Sequence, residues 1–351
     1  MSRPQEPHRP FFSFGNPLRM ILPKGSHLSP RLISLLKSFE ESLAGKLKSL
    51  IPGGGEDVIS LLWMQQAIVS LSQIHIETKE LITALEFPAS DWDEKWIDVY
   101  LDNSVRLLDI CTSISSEITR INQANLFLSC AVHYLEGEEK QIMQACSSLN
   151  GWRQHMNSQN PRLERCFEKL NTLTESLNLP KIKNSAKGKV LMQALYGVRM
   201  VTIFICSVFA VAFSGSVGNL KELEVLETCL WADAYVDLQG FINREMRNIY
   251  SSGAATALKD LEAIHASVEK LHPIIQDGVN PIGADVLPHE TSGLAKMADR
   301  LSKGLDGLAK EVDGFFQIVL TGRDALLCNL RIGSNNASPS QENNAEQPTL
   351  R

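Results

Sequence analysis

From Met200 to Leu220 the chain carries no charged side chain over twenty-one positions. A run of that composition must leave water, because fully burying a Val, Leu, Ile or Phe side chain is worth roughly 1.5–3 kcal/mol. Two destinations fit. Roughly 20 apolar residues cross a bilayer, so the run reads as a membrane segment made by Met200, Val201, Ile203, Phe204, Ile205, Val208, Phe209, Val211 and Phe213. The densely apolar part, however, ends at Phe213, and Ser214 to Asn219 is small and polar. A stretch that short also suits the buried central helix of a bundle. Ala210 and Ser214 form a small-xxx-small pair that favours close helix packing in either setting.

Charge is asymmetric around this run. Lys181, Lys183, Lys187, Lys189 and Arg199 precede it with no acidic residue between, whereas Glu222, Glu224 and Glu227 follow it. For a span, the positive-inside rule would put the N-terminal half in the cytosol. Without a span, the basic cluster is suited to face anionic lipid at ~1 kcal/mol per charge.

The rest of the chain repeats a helical spacing of apolar residues. Ser29 as N-cap and Pro30 at N1 announce the first helix, followed by Leu32, Leu35, Leu36, Phe39, Leu43, Leu47 and Leu50. The segment Pro52-Gly53-Gly54-Gly55 ends it. Helical patterns then run over 57–85, from Ser90 to about Leu135, over 138–157, 161–177, 185–214, 219–250, 254–276 and 290–331. A Gly/Pro loop is expected at 277–289. No alternating strand pattern and no fixed-period repeat is present. The expected fold is therefore all-α, a bundle of long antiparallel helices with a central, highly apolar helix and disordered termini. Its expected layout is an irregular Pro/aromatic arm at 1–27, one helical domain at 28–332 and a disordered tail at 333–351.

Motifs for chemistry are scarce. The seven cysteines are odd in number and contain no CxxC pair, which reads as reduced thiols. No HExxH or close Cys/His cluster occurs, so no metal is expected. Lys187-Gly188-Lys189 fails as a phosphate loop, because Lys183 stands where its first Gly belongs and Val190 where Ser or Thr would bind magnesium. The acids and indoles of Asp91-Trp92-Asp93-Glu94-Lys95-Trp96 fit a helix N-terminus, where the dipole favours carboxylates. His75, His133, His155 and His265 each sit singly in helical patterns, and no GxSxG elbow is present. No catalytic, cofactor-binding or metal-binding residue is assigned, and no cofactor is expected. A net charge of −6 gives no general attraction to nucleic acid. Met1 to Pro30 lacks the apolar h-region of a secretory signal, and its sparse Ser and Glu6 fit a plastid transit peptide poorly. Phe11, Phe12 and Phe14 put three aromatic rings in a Pro-rich arm, to fold back on the bundle or to dock on a partner.

Five strings resemble the plant Bypass family, in the same order over nearly the whole chain. They are FFSFGNP (11–17), SDWDEKWIDVYLD (90–102), LPKIKNSAKGKVLMQALYGV (179–198), VFAVAFSGS (208–216) and GRDALLCNLR (322–331). The resemblance implies a non-enzymatic regulator of plant development, required for normal root and shoot growth. Such a protein prevents constitutive production of a mobile, root-derived, carotenoid-linked signal that arrests the shoot. It also implies protein partners, with a tethering-complex subunit among the candidates, because one branch of the family is linked to exocyst-dependent secretion. The resemblance also implies one transmembrane helix at the segment found above, which many family members are described as having, and a plastid location for some. The expected location is therefore an endomembrane or its cytoplasmic face, with the plastid as the alternative. A carrier or enzyme acting on a lipophilic signal precursor is the competing reading, and a cavity of several hundred Å³ with converging polar groups would favour it.

Overall fold

The computed structural model describes residues 28–53, 59–86, 94–137, 141–158, 160–177, 185–254, 256–276 and 281–335. Its α-helices are α1 (Pro30–Ser49), α2 (Leu61–Leu85), α3 (Glu94–Glu136), α4 (Ile142–Asn157), α5 (Pro161–Glu175), α6 (Ala186–Ser214), α7 (Ala232–Ser251), α8 (Lys259–Gln276) and α9 (Pro281–Asn335). No strand occurs among the described residues. The chain is an all-α bundle with one apolar central helix, as its periodicity predicts.

Local chemistry sets several helix starts. The Ser29 hydroxyl accepts from Leu32 N, and Pro30 occupies the first turn, where its missing N–H costs nothing. Ser60 accepts from Trp63 N, Asn160 from Arg162 N ahead of Pro161, and Ser185 from Gly188 N. Trp63 Nε1 then donates to Leu50 O at 2.9 Å, which fastens the end of α1 to the start of α2.

The long helices are supported along their length. α3 packs on α4 and α5 and also on α9, while α9 in turn packs on α2 and α8. α6 touches α1, α2, α3, α5 and α7, so it lies at the centre. Close approach there depends on Gly197, where a Cβ would stand 2.9 Å from Leu43 Cδ2 and 3.1 Å from the Trp231 indole. Trp231 is fully buried and meets Tyr196 and Tyr235 with ring centroids 5.9 and 5.7 Å apart. The Tyr235 contact is edge-on, an arrangement that contributes about 0.5–1.5 kcal/mol beyond area burial, while the Tyr196 ring is tilted.

Two segments differ from the expectation. The pattern over 219–250 predicts one helix, yet α7 begins only at Ala232. Gly215, at φ 70°, closes α6 in the left-handed conformation that glycine adopts without strain. The following chain is non-helical, and Gln239 substitutes for backbone partners there: its Oε1 accepts from Leu223 N at 3.0 Å and its Nε2 donates to Leu223 O at 3.2 Å. A side-chain amide that satisfies both backbone groups removes the need for a helix. The second difference is the loop expected at 277–289, where α9 already starts at Pro281 and runs through Pro288. Pro288 is exposed, while Leu287 and Thr291 beside it are buried, so packing outweighs the lost hydrogen bond. α9 also continues to Asn335, three residues into the expected tail; residues 336–351 and the arm at 1–27 lie outside the described residues.

Candidate functional site

A cavity of about 290 Å³ lies among α2, α3, α5, α6 and α9. Its walls are mostly apolar and include Leu107, Leu173, Met192, Leu195, Ile203 and Val319. Ile76, Lys79, Thr83 and Thr321 also line it and are exposed, so it opens on the side of α2 and α9 and runs inward to α6.

Arg199 on α6, His75 on α2 and Tyr100 on α3 line it, together with the smaller polar residues Thr78, Asn103, Ser104 and Thr202. Arg199 Nη2 donates to Ser176 O and to Ser176 Oγ, the latter at 2.6 Å. Its Nε and Nη1 are buried and find no acceptor. Burial lowers the guanidinium from its ordinary value to about 10, so it remains a cation at neutral pH. His75 Nε2 pairs with Thr202 Oγ1 at 3.2 Å, and its ring stands edge-on to Phe315 with centroids 5.1 Å apart. The Thr202 hydroxyl donates to Val198 O, so it can serve only as acceptor toward His75. The Tyr100 hydroxyl lies against Gly322, where a Cβ would come within 3.3 Å of it, and burial raises its pKa. Beside the cavity, Arg323 Nη1 donates to Leu101 O at 2.6 Å and Ser104 Oγ at 3.1 Å, joining α9 to α3.

Burial moves the His75 imidazole down from 6.5 to about 4. Between those values the unfolded chain binds a proton that the folded state refuses. Stability therefore falls as pH drops from above 6.5 through 4, by about 3 kcal/mol at ~1.4 kcal/mol per unit. Urea unfolding at pH 7 and pH 4 should record this loss, and His75→Gln should lose that much less over the same interval. Equal losses in the two proteins would rule out His75 as the source.

The residues singled out in the sequence are placed as follows. Met200, Val201, Ile203, Phe204, Ile205, Val208, Phe209 and Val211 are buried, and Phe213 is half-buried. α6 is long and apolar enough to cross a membrane by length and composition, and 89% of its most apolar window is buried by the other helices. The three described members of the basic cluster, Lys187, Lys189 and Arg199, have different surroundings. Lys181 and Lys183 lie outside the described residues. Lys187 Nζ donates to Glu86 O at 2.8 Å and so caps the end of α2, Lys189 is 7% exposed, and Arg199 faces the cavity. Phe11, Phe12 and Phe14 lie outside the described residues, as does Trp92. The thiols of Cys111 and Cys166 are pushed up to about 12 by burial, and that of Cys206 is raised by the same cause, so they are poor nucleophiles. No group of three or more potential metal ligands occurs among the described residues.

In the sequence His75 is one of several single histidines, and nothing in its local pattern distinguishes Tyr100. Their convergence joins residues from separate helices, which periodicity cannot show. One signal was available: Arg199 is the last charge before the uncharged run, on a helix otherwise committed to burial.

Comparison with known proteins assigns the chain. A family model described as Protein BPS1 matches residues 69–277, from within α2 through α8. The chain belongs to the BPS1 family. It is 49% identical over 333 residues to "Protein BPS1, chloroplastic" of Arabidopsis thaliana, a match covering 94% of this chain and 93% of the relative. "UPF0496 protein 4" of Oryza sativa subsp. indica is 35% identical over 444 residues, covering 95% of this chain and 97% of the relative. Its counterpart in subsp. japonica is 36% identical over the same shares. No solved structure matches the chain. The BPS1 match takes in the cavity residues on α2, α3, α5 and α6, while those on α9 lie beyond it.

Proposed function

We propose that this BPS1-family protein is a regulator of plant development that acts by binding rather than by catalysis. In this reading it is needed for normal root and shoot growth and prevents constitutive production of a mobile root-derived, carotenoid-linked signal. The observation that carries the reading is the match of 94% of the chain to the Arabidopsis protein. Binding is favoured over chemistry because His75, the cavity's candidate base, meets only a threonine hydroxyl already turned to its own helix. The test is expression of the chain in Arabidopsis lacking its own BPS1. Restored shoot growth is the expected result, and arrested shoots despite accumulation of the protein would overturn the reading.

A second reading, as a carrier of a lipophilic molecule, is favoured by the cavity itself. In both readings α6 serves as the core of the bundle, and contact with a membrane is peripheral. The support is the burial of its apolar window by neighbouring helices. Carbonate extraction of plant membranes is expected to release a tagged protein into the supernatant; retention in the pellet would sink this topology. The word "chloroplastic" in the relative's name favours the plastid as its compartment.

A further inference from the structure

We propose that the cavity is a binding site for a compact, mostly apolar molecule bearing one carboxylate, with Arg199 as its counter-ion. This rests on the reading of the protein as one that binds, and not on its developmental role. The argument starts from an unbalanced charge. Arg199 places a guanidinium in an apolar wall, its Nη2 is spent on Ser176, and its Nε and Nη1 are buried with no acceptor. No acidic side chain pairs with it among the described residues. Arg199 as a whole is half-buried, and guanidinium nitrogens withdrawn from water without an acceptor carry a desolvation cost that a bound anion offsets. Burial does not remove the charge, since the group stays protonated at neutral pH.

The rest of the cavity limits the anion. One cation favours a single negative charge, and Lys79, the other cation lining the cavity, is exposed. A carboxylate meets that condition, whereas a phosphate dianion would bring an uncompensated charge into an apolar space. The walls formed by Leu107, Leu173, Leu195 and Ile203 call for an apolar body. A volume of about 290 Å³ sits at the small end of ligand pockets, so that body is compact. His75, neutral near pH 7, and the Tyr100 hydroxyl supply uncharged hydrogen-bonding groups without a second charge.

Isothermal titration of the purified full-length protein with decanoate and with 1-decanol tests this. Decanoate is expected to bind once per chain, and the alcohol about tenfold or more weakly, as hydrogen bonds to charged groups contribute. Arg199→Gln should weaken decanoate about tenfold or more and leave the alcohol unchanged. Ala325→Phe, which places a ring at the cavity wall contributed by α9, should abolish binding of both while helical circular dichroism persists. Equal affinity for acid and alcohol, or undiminished decanoate binding in Arg199→Gln, overturns the carboxylate assignment. Undiminished binding in Ala325→Phe overturns the location. No heat from decanoate would mean that water alone serves Arg199, and the proposal fails. Should Arg199→Gln not fold, the acid/alcohol ratio of the unaltered protein and the Ala325→Phe result decide. Rescue of the Arabidopsis mutant is independent of all these outcomes, so either reading can fail alone.

Discussion

Phe204→Arg is expected to prevent folding. Phe204 is fully buried in the middle of α6 and meets Tyr235 edge-on, with ring centroids 5.6 Å apart. Loss of a buried phenyl ring costs about 3–5 kcal/mol. The incoming guanidinium adds a desolvation penalty of several kcal/mol in that apolar setting. The sum rivals the whole stability of a domain, about 5–15 kcal/mol. Circular dichroism and solubility of the purified variant give the readout, and a soluble, fully helical protein would contradict the burial of α6. The same substitution separates the two destinations that the apolar run allows. On a membrane-insertion scale a central Arg costs only about 2.5–3.5 kcal/mol, which one long apolar helix can tolerate.

Glu117→Ala is the second large effect, at about 3–5 kcal/mol, the range for breaking a buried ion pair from one side. Glu117 is 1% exposed and accepts from Arg120 Nε at 3.0 Å, Arg120 Nη2 at 2.6 Å and Asn160 Nδ2 at 2.8 Å. Arg120 Nη1 donates onward to His155 O at 2.6 Å, and His155 Nε2 pairs with Arg120 O at 3.0 Å. One carboxylate thus fixes α3 to α4 and to the cap of α5. Its removal leaves a largely buried guanidinium and an amide without their acceptor. Urea denaturation measures the loss. The double variant Glu117→Met with Arg120→Met should regain most of it, because no uncompensated charge remains. A single-variant loss below about 1 kcal/mol would mean that the pair is solvated, not structural.

Much of the helix inventory could be read from side-chain spacing, since an amphipathic helix declares its buried face locally. Leu32, Leu36, Phe39, Leu43 and Leu47 are all buried, and Ser29 with Pro30 marks their start as expected. Where a distant side chain replaces a local partner, the reading fails. Gln239 satisfies the Leu223 backbone from sixteen residues away, so the helical pattern after Asn219 misleads. Pro288 reads as a helix breaker, and only the burial of Leu287 and Thr291 shows why α9 passes through it. The basic residues before the apolar run look alike in sequence, yet Lys187 caps α2 and Arg199 turns inward. Their different fates depend on which helix packs beside them.

The sequence by itself determined an all-α chain, its family and a central helix that must avoid water, because periodicity and hydrophobic free energy act along the chain. Tertiary packing alone decided that other helices shield that segment, and that His75, Tyr100 and Arg199 meet in one cavity. These groups are far apart along the chain. Their proximity depends on how α2, α3 and α6 pack, and local spacing carries no record of that.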